Sequence, residues 1–418
     1  MPELYRYHCN PRCFTDPAAR TAEAGVANLA DWHQAVAEIE RWPEYAPQPL
    51  HTLPATAARL RLGELFYKDE SRRFGPQLGS FKALGAPYAV YCLLADTVAA
   101  ATGIRPTSAQ LRAKEFLAIT SRVTVCVATD GNQGRGLAYA AQIFGCRCVT
   151  YIHGHVSPGR KEAMERLGAI VIRIDGEYEA SVARAREDAR LNGWHFVSST
   201  SWDEFQSPIP RNVMNAYMVM VEEALAQIPR LDGITHVFMQ GGVGSIAAAV
   251  FLGFYQRCHP TPRFVMVEPV EADCLYQTAV HGHPTPSSGS LRTIQAGLAC
   301  RAVSPAAWSI LDWLTSDFVA IPDDWAAEAM TALAAGEGDL PIVCGESAAG
   351  GMGVLLKAAT DAGLRSQLSL TPESRVVLFG CEGATDPEIY REITGQTPEE
   401  VFSRQVLPDP SDADRLKA

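Results

Sequence analysis

The stretch VTVCVATDGNQGRGLAYAAQIFGCRCVTYIH, residues 123–153, decides the fold. It begins with a short apolar run at 123–130, continues with a longer pattern that ends at Gly145, and closes with a second apolar run at 148–153. Apolar runs of strand length on either side of a helical pattern predict a strand–helix–strand unit with parallel strands. Both runs are apolar throughout, which is typical of strands that are buried on both faces of a sheet.

The same alternation continues along the rest of the chain. We predict further strands at 170–175, 194–199, 235–240, 263–268 and 375–380, most of them separated by helical patterns. Pro208 and Pro210 interrupt the series, which suits a crossing between two domains.

The chain has 418 residues, more than the roughly 250–300 that a single hydrophobic core usually holds, so two domains are expected. We predict an α/β fold with two doubly wound, three-layer domains and mostly parallel sheets. Residues 1–85 and 205–418 are expected to form a large, discontinuous domain, and residues 86–204 a small α/β domain.

The formal net charge of -11 argues against a nucleic-acid partner, because neutralising phosphates requires clustered Lys and Arg. The opening residues have no apolar core of signal-peptide length, and no stretch reaches the roughly 18 uninterrupted apolar residues of a membrane helix. We therefore expect a cytoplasmic protein without a membrane partner.

Eleven cysteines without a repeating spacing predict mostly buried thiols. No metal site is predicted, since His153 and His155 have no Cys or carboxylate cluster beside them.

The first motif with chemical meaning is QGGVGS at 240–245, directly after a predicted strand. Its glycines allow the backbone to approach an anion, and the following helix offers unpaired N–H groups and the positive end of its dipole. The spacing fits neither the dinucleotide pattern G-x-G-x-x-G nor a Walker loop, which favours a single phosphate over a nucleotide. A tight turn without a ligand is an equally good interpretation of this loop alone.

The second motif is ATDGNQGRG at 128–136, also at the end of a strand. Asp130 and Asn132 can both point into one cleft there, where a carboxylate can exchange protons and an amide can hold a ring oxygen or a carboxylate. The alternative is that Asp130 caps the helix that begins near Asn132.

The third motif is YKDESRRFGPQLGSFKALGA at 67–86. Lys82 stands at the predicted start of a long apolar helix, where partial removal from water favours the neutral amine that can form an imine. Lys68, with Asp69 and Glu70 beside it, is typical of an ion-paired surface residue.

An imine-forming lysine, a glycine loop for one phosphate and an amide beside a carboxylate are the parts that a pyridoxal-phosphate site requires. The sequence resembles the fold-type II pyridoxal-phosphate enzymes, the tryptophan synthase β-like superfamily, and within them the diaminopropionate ammonia-lyases. The resemblance covers most of the chain, in order, through KDES-x-R-F (68–74), SFKALG (80–85), ATDGNQGRG (128–136), GGVGS (241–245), MVEP-x-x-ADC (266–274), GLAC (297–300), SPAAWSIL (304–311), CGESAAGG (344–351) and EGATDP (382–387).

The resemblance implies that Lys82 carries pyridoxal 5'-phosphate as an imine and that Lys82 and Asp130 are the catalytic residues. Asn132 would bond the ring hydroxyl, and Cys381 or Thr385 would face the pyridine nitrogen. The full set of implied cofactor contacts is Phe81, Lys82, Asn132, Gly241, Gly242, Val243, Gly244, Ser245, Glu346, Cys381 and Thr385. The implied substrate contacts are Ser80, Thr129, Asp130, Gly131 and Ser199.

The resemblance also implies a reaction and an assembly. The reaction is the α,β-elimination of a small β-substituted amino acid, 2,3-diaminopropionate, to pyruvate and ammonia through released aminoacrylate. The assembly is a homodimer. Cys274 and Cys300 match positions that can pair in the family, although two free thiols are expected in a reducing cytosol.

Two departures from the family pattern keep alternatives open. Ser199 stands where the family usually has an aspartate, three residues before Trp202, and Ala384 stands where it prefers an acid. Asp203 is either a substitute for the first or a surface carboxylate. The alternatives are a divergent lyase for another β-substituted amino acid, a serine or threonine dehydratase, an amino-acid racemase on the same fold, and a catalytically silent binding protein.

Overall fold

The computed structural model describes residues 5–14, 28–129, 131–176, 178–201 and 207–405. The strands within these ranges are β1 (Arg6–Cys9), β2 (Leu50–Thr52), β3 (Glu64–Asp69), β4 (Thr124–Ala128), β5 (Arg147–His153), β6 (Ile170–Ile174), β7 (His195–Phe196), β8 (His236–Gln240), β9 (Arg263–Pro269), β10 (Asp317–Ile321) and β11 (Arg375–Gly380).

The strands form two sheets. The larger sheet has the order β1-β10-β9-β8-β11-β3-β2, and its five central strands are parallel, with β1 and β2 antiparallel at the edges. The smaller sheet has the order β6-β5-β4-β7 and is parallel throughout. The predicted α/β architecture with mostly parallel sheets is therefore confirmed.

Helices connect the strands and cover the sheets. They are α1 (Leu29–Ile39), α2 (Pro54–Arg59), α3 (Lys82–Thr102), α4 (Ser108–Arg112), α5 (Leu117–Thr120), α6 (Asn132–Phe144), α7 (Pro158–Arg166), α8 (Tyr178–Asn192), α9 (Pro208–Gln227), α10 (Ser245–Arg257), α11 (Cys274–His281), α12 (Pro305–Leu314), α13 (Asp323–Ala335), α14 (Gly350–Ala358), α15 (Ala362–Gln367), α16 (Pro387–Thr394) and α17 (Pro398–Ser403).

The helices α3, α9 and α10 are apolar around most of their circumference, which is typical of helices inside a core. Of the described part of the chain, α3 alone has a length and composition that could cross a membrane, and 67% of its most apolar window is buried inside the protein. Burial of this kind is what a core helix shows.

The strands of the two sheets come from separate parts of the chain. All four strands of the smaller sheet lie between Thr124 and Phe196, whereas the larger sheet takes strands that end by Asp69 or begin at His236 or later. The domain boundaries at 85/86 and 204/205 stay a prediction.

The strand expected at 194–199 is shorter than predicted, since β7 ends at Phe196. Beyond β7, one more backbone hydrogen bond joins Val197 N–H to Cys126 O at 2.8 Å. The Ser198 hydroxyl then accepts a hydrogen bond from Thr200 N–H at 3.1 Å. The pairing with β4 ends at this turn, because the Ser198 side chain now takes the hydrogen bond of a backbone N–H.

Lys68 is ion-paired as predicted, but its expected place on the surface is wrong. Its ammonium is fully buried, donates to Glu223 Oε2 at 2.7 Å and to Gln48 O at 2.8 Å, and lies 3.0 Å from Glu70 Oε1. Arg73 bonds the same two carboxylates. The charges balance within the group, which is the condition under which ionic side chains can be buried.

Candidate active site

One cavity lies where the carboxyl ends of strands from both sheets meet. It contains about 1040 Å³ of empty space including its mouth, and β4, β8 and β11 end at its wall together with the turn after β7. Ligands of open α/β sheets bind at this edge, because side chains and helix N-termini converge there.

Lys82 is the first residue of α3 and lines this cavity. Two contacts fix the chain just before it: Phe81 N–H donates to Cys381 O at 3.0 Å, and Lys82 N–H donates to the Ser80 hydroxyl at 3.3 Å. Its Nζ lies 4.9 Å from the centre of the Phe81 ring. The buried start of the helix thus holds a half-buried amine at the cavity wall.

The glycine loop between β8 and α10 forms another part of the cavity wall. Gly242 and Gly244 have positive φ values of 64° and 99°, a conformation that side chains disfavour. A Cβ on Gly244 would lie 2.8 Å from Leu311 Cδ1, so this position is also closed by packing. The loop leads into the N-terminus of α10, whose first turn carries no acidic residue. Backbone N–H groups there can hold an anion.

Ser245, at the start of α10, links the glycine loop to the smaller sheet. Its hydroxyl donates to the backbone O of Ser199 at 2.6 Å. Both residues line the cavity, Ser199 from the turn that follows β7. The hydroxyl predicted to meet a phosphate therefore lies at the junction of the two sheets.

Asn132 lies at the first residue of α6, as expected. Its amide nitrogen donates to Glu382 Oε2, and its oxygen accepts from Arg135 Nη2 at 2.6 Å. These two contacts fix the orientation of the amide. Asp130 lies outside the described residues, whereas its neighbours Thr129 and Gly131 line the cavity.

Two buried carboxylates occupy the side of the cavity near β11. Glu382 accepts from Asn132 and from Ser347 N–H at 3.0 Å. Glu346 Oε1 accepts from Arg160 Nη2 at 2.6 Å, while its Oε2 has no hydrogen-bond partner among the described residues. Burial, and then the charge of Glu382, raises the pKa of Glu346 to about 7.

Cys381 and Thr385 follow β11 and both line the cavity. The Cys381 thiol is buried and donates to Ser347 O at 3.8 Å, and burial raises its pKa well above the ordinary value. Cys381 therefore presents a neutral thiol.

The structure brings most of the predicted site residues into this one cavity. Those that line it are Phe81, Lys82, Thr129, Gly131, Asn132, Ser199, Gly241, Gly242, Val243, Ser245, Glu346, Cys381 and Thr385. Ser80 and Gly244 do not line it; Ser80 supports Lys82, and Gly244 packs against Leu311. Asp130, Trp202 and Asp203 lie outside the described residues.

Sequence reasoning missed two charged residues of the cavity wall. Glu382 follows Cys381 at the end of β11, so the strand-end rule that selected Cys381 applies to it equally. Arg160 lies in the first turn of α7, where the helix dipole disfavours a cation. An arginine at such a position is a signal that a carboxylate lies nearby.

The residues present fit pyridoxal phosphate. The cavity presents an amine, a glycine loop at a helix N-terminus and a fixed amide, which match an aldehyde, a phosphate and a ring hydroxyl. Glu346 and Gln240 each carry a buried oxygen without a hydrogen-bond partner among the described residues, so the wall retains unused polar groups for a ligand.

Residues 41–382 match the family model described as pyridoxal-phosphate dependent enzyme, and the chain belongs to that family. It is 35% identical over 406 residues to the diaminopropionate ammonia-lyase of Salmonella typhimurium, covering 94% of this chain and 98% of the relative. This likeness extends to the whole length, so the diaminopropionate ammonia-lyases are the branch to which the chain is related.

Solved structures give the same result. The crystal structure of diaminopropionate ammonia-lyase from Escherichia coli in complex with D-serine superposes with a TM-score of 0.82 at 30% identity, covering 93% of this chain and 96% of that one. The same enzyme in complex with an aminoacrylate-PLP azomethine reaction intermediate superposes with a TM-score of 0.78 at 31% identity, with the same coverage. The predicted fold type is confirmed.

All eleven cysteines are free thiols, and seven of them are buried. Cys274 and Cys300 therefore form no disulfide with each other. Cys274 Sγ donates to Gly242 O at 3.5 Å, so this thiol contacts the glycine loop directly.

Proposed function

We propose that this protein catalyses the α,β-elimination of 2,3-diaminopropionate, which yields pyruvate and ammonia. The observation that carries the proposal is the convergence of Lys82, the glycine loop and Asn132 on one cavity. The chain's 35% identity to a diaminopropionate ammonia-lyase supports the choice of substrate. A cytoplasmic homodimer with this small amino acid as its ligand is part of the proposal.

Pyridoxal phosphate, linked to Lys82, supplies an electron-withdrawing ring that stabilises negative charge developing at the substrate's α-carbon. The backbone of Gly241 to Gly244, with Ser245, would hold the phosphate at the N-terminus of α10. The amide of Asn132, fixed by Arg135, would orient the ring through its hydroxyl. The neutral thiol of Cys381 or the hydroxyl of Thr385 would face the pyridine nitrogen.

The protein's own proton transfers follow from this arrangement. Once the substrate's amine has displaced it from the cofactor, the Lys82 amine would be the base for the α-proton, since it lies at the cavity wall. Asp130, between two cavity-lining residues, is assigned the second proton transfer, as a base from the other side or as an acid to the leaving group. Thr129 and Gly131, which line the cavity, would contact the substrate. Released aminoacrylate then takes up water to give pyruvate and ammonia.

The test replaces the lysine. We expect Lys82→Ala to lose the visible absorption of bound cofactor after dialysis and to release no pyruvate from D- or L-2,3-diaminopropionate. If the wild-type protein is colourless and does not bind added cofactor, it is the catalytically silent binding protein instead. If the wild type turns over serine or threonine alone, the chain is a dehydratase and the lyase proposal is wrong.

Ser199 favours the dehydratase or a divergent lyase as the second candidate. The family's usual aspartate at this position is replaced by a hydroxyl whose residue lines the cavity. An exchange of this kind removes one proton carrier from the substrate's surroundings. Parallel assays with both enantiomers of each amino acid separate the candidates.

A further inference from the structure

Glu346 is a buried carboxylate with one unused oxygen. It forms a single helical turn with Ser347 and Ala348, is only 1% exposed and lines the cavity. Arg160 Nη2 donates to Oε1 at 2.6 Å, whereas Oε2 is buried and finds no hydrogen-bond partner in the described part of the chain. Leaving such an oxygen unpaired is costly, so the wall is built for a donor that comes from a ligand.

Glu382, the other carboxylate of the wall, differs in this respect. Its two oxygens accept from Ser347 N–H and from the Asn132 amide. The protein therefore uses Glu382 to orient its own amide and leaves the second oxygen of Glu346 available. Asp386 Oδ2 lies 3.5 Å from Arg160 Nε, and Asp386 is outside the set of described residues that line the cavity.

The substrate class decides which donor fits. Serine and 2,3-diaminopropionate differ only at the β-carbon, which carries a hydroxyl in one and an ammonium in the other. An ammonium presents three N–H donors and a positive charge to a carboxylate, and a charge-assisted hydrogen bond of this kind is roughly twice as strong as a neutral one. The guanidinium of Arg160 already occupies Oε1, so the donor must approach Oε2.

We propose that Glu346 is a specificity-determining residue that accepts a hydrogen bond from the substrate's β-ammonium at Oε2. The inference rests on the proposed function and deepens it. With the nitrogen held as ammonium, the Cβ–N bond breaks with its electron pair going to nitrogen, and neutral ammonia leaves as the α-proton passes to the base. A β-hydroxyl needs an added proton to leave as water, which a carboxylate cannot supply.

The experiment compares wild type with Glu346→Gln in the cofactor-loaded enzyme. For each protein the ratio of kcat/KM for 2,3-diaminopropionate to kcat/KM for serine is measured, together with calorimetric dissociation constants for 2,4-diaminobutyrate and 2-aminobutyrate. We expect the kcat/KM ratio and the preference for the amine-bearing ligand to fall about tenfold or more, the scale of one charge-assisted hydrogen bond in a buried site. Cofactor absorption is recorded to correct for occupancy.

Asp386→Asn is the matched control, because it removes a carboxylate from the same arginine without changing the Glu346 oxygen that has no partner among the described residues. Its ratios should stay within about twofold of wild type. Equal losses in Glu346→Gln and Asp386→Asn, or unchanged ratios in Glu346→Gln, overturn the inference. If Glu346→Gln does not fold, Glu346→Asp is the test instead. Its side chain is shorter and withdraws the carboxylate, so the kcat/KM ratio should fall severalfold. An unchanged ratio contradicts recognition by Oε2.

The same assays separate this inference from the proposed function. A wild type without activity on 2,3-diaminopropionate makes the proposed function wrong. A wild type that is active on it, with variants that keep its preference, makes only the assignment of Glu346 wrong.

Discussion

Glu346 carries a prediction about pH at the scale of a single residue. Burial and the charge of Glu382 raise its pKa to about 7, while Arg160 opposes the shift and Asp386 adds to it. Arg135 and Cys344 also feel its charge. Below pH 7 the carboxyl is protonated, and above it the carboxylate is charged. The preference for 2,3-diaminopropionate over serine should therefore rise as pH increases through about 7.

The measurement is the ratio of kcat/KM values from pH 6 to about 8.5 in wild type and in Glu346→Gln. The substrates' own amines titrate in both proteins, so the difference between the two profiles isolates Glu346. A wild-type profile parallel to that of the variant would contradict the prediction. Because kcat/KM reports the ionisation of the free enzyme, the midpoint should lie near the pKa of about 7 of Glu346 in the unliganded protein.

Lys68 and Lys82 show how far residue-level reasoning reaches. Both lie in the segment 67–86, and both are removed from water, Lys68 completely. The role of Lys82 follows from its place at the start of an apolar helix and from the family motif. The burial of Lys68 could not be predicted, because its partner Glu223 lies 155 residues away in sequence. Neighbouring acids alone indicate a surface pair.

At the scale of elements, the contact between α3 and α6 sets the distance from Lys82 to Asn132. Gly136 makes this contact possible, since a Cβ there would lie 2.8 Å from the backbone O of Lys82. Gly136→Ala must push the two helices apart. We expect the free energy of unfolding to fall by about 1–3 kcal/mol and the affinity for pyridoxal phosphate to fall with it. Urea denaturation and a cofactor titration measure the two effects.

Gly159→Ala is the control for this prediction. Gly159 lies in the first turn of α7 and no atom comes within 4 Å of an added Cβ. The exchange should be neutral or should stabilise by up to about 1 kcal/mol, because alanine favours the helix. Equal behaviour of the two alanine variants would show that the α3–α6 contact is not tight.

Elements were predictable where the pattern was uninterrupted. The apolar runs gave β4, β5, β6, β8, β9 and β11 within two residues at each end. The strands β3 and β10 were missed. ELFYKD carries three charges, and two of them have partners far away in sequence, Glu223 for Lys68 and Arg375 for Glu64. DFVAI is short and begins with Asp317. Asp317 is buried against Arg263, 54 residues earlier. A local sequence pattern cannot indicate an ion pair between residues so far apart in the chain.

At the scale of the whole molecule, the cavity exists only because two sheets and the segment before α3 meet. The sequence predicted that the glycine loop, Asn132 and Lys82 share a site, because strand ends of parallel sheets lie at one edge. It did not predict the bridge from Arg160 of α7 to Glu346 and Asp386. That bridge joins parts of the chain about two hundred residues apart, and only the assembled fold brings them together.

A buried ionic group connects the segment before Lys82 to α9; its members are Lys68, Glu70, Arg73 and Glu223. Removing one of its charges tests how much the group contributes to the free energy of unfolding. Glu223 accepts from Lys68 Nζ at 2.7 Å and from Arg73 Nη2 at 2.6 Å. Glu223→Gln leaves an excess positive charge in a buried site, which should destabilise by roughly 3–5 kcal/mol. Glu165→Gln, in an exposed pair with Lys161, should cost no more than about 0.5 kcal/mol. Urea midpoints that are equal in the two variants would mean that water reaches the buried group.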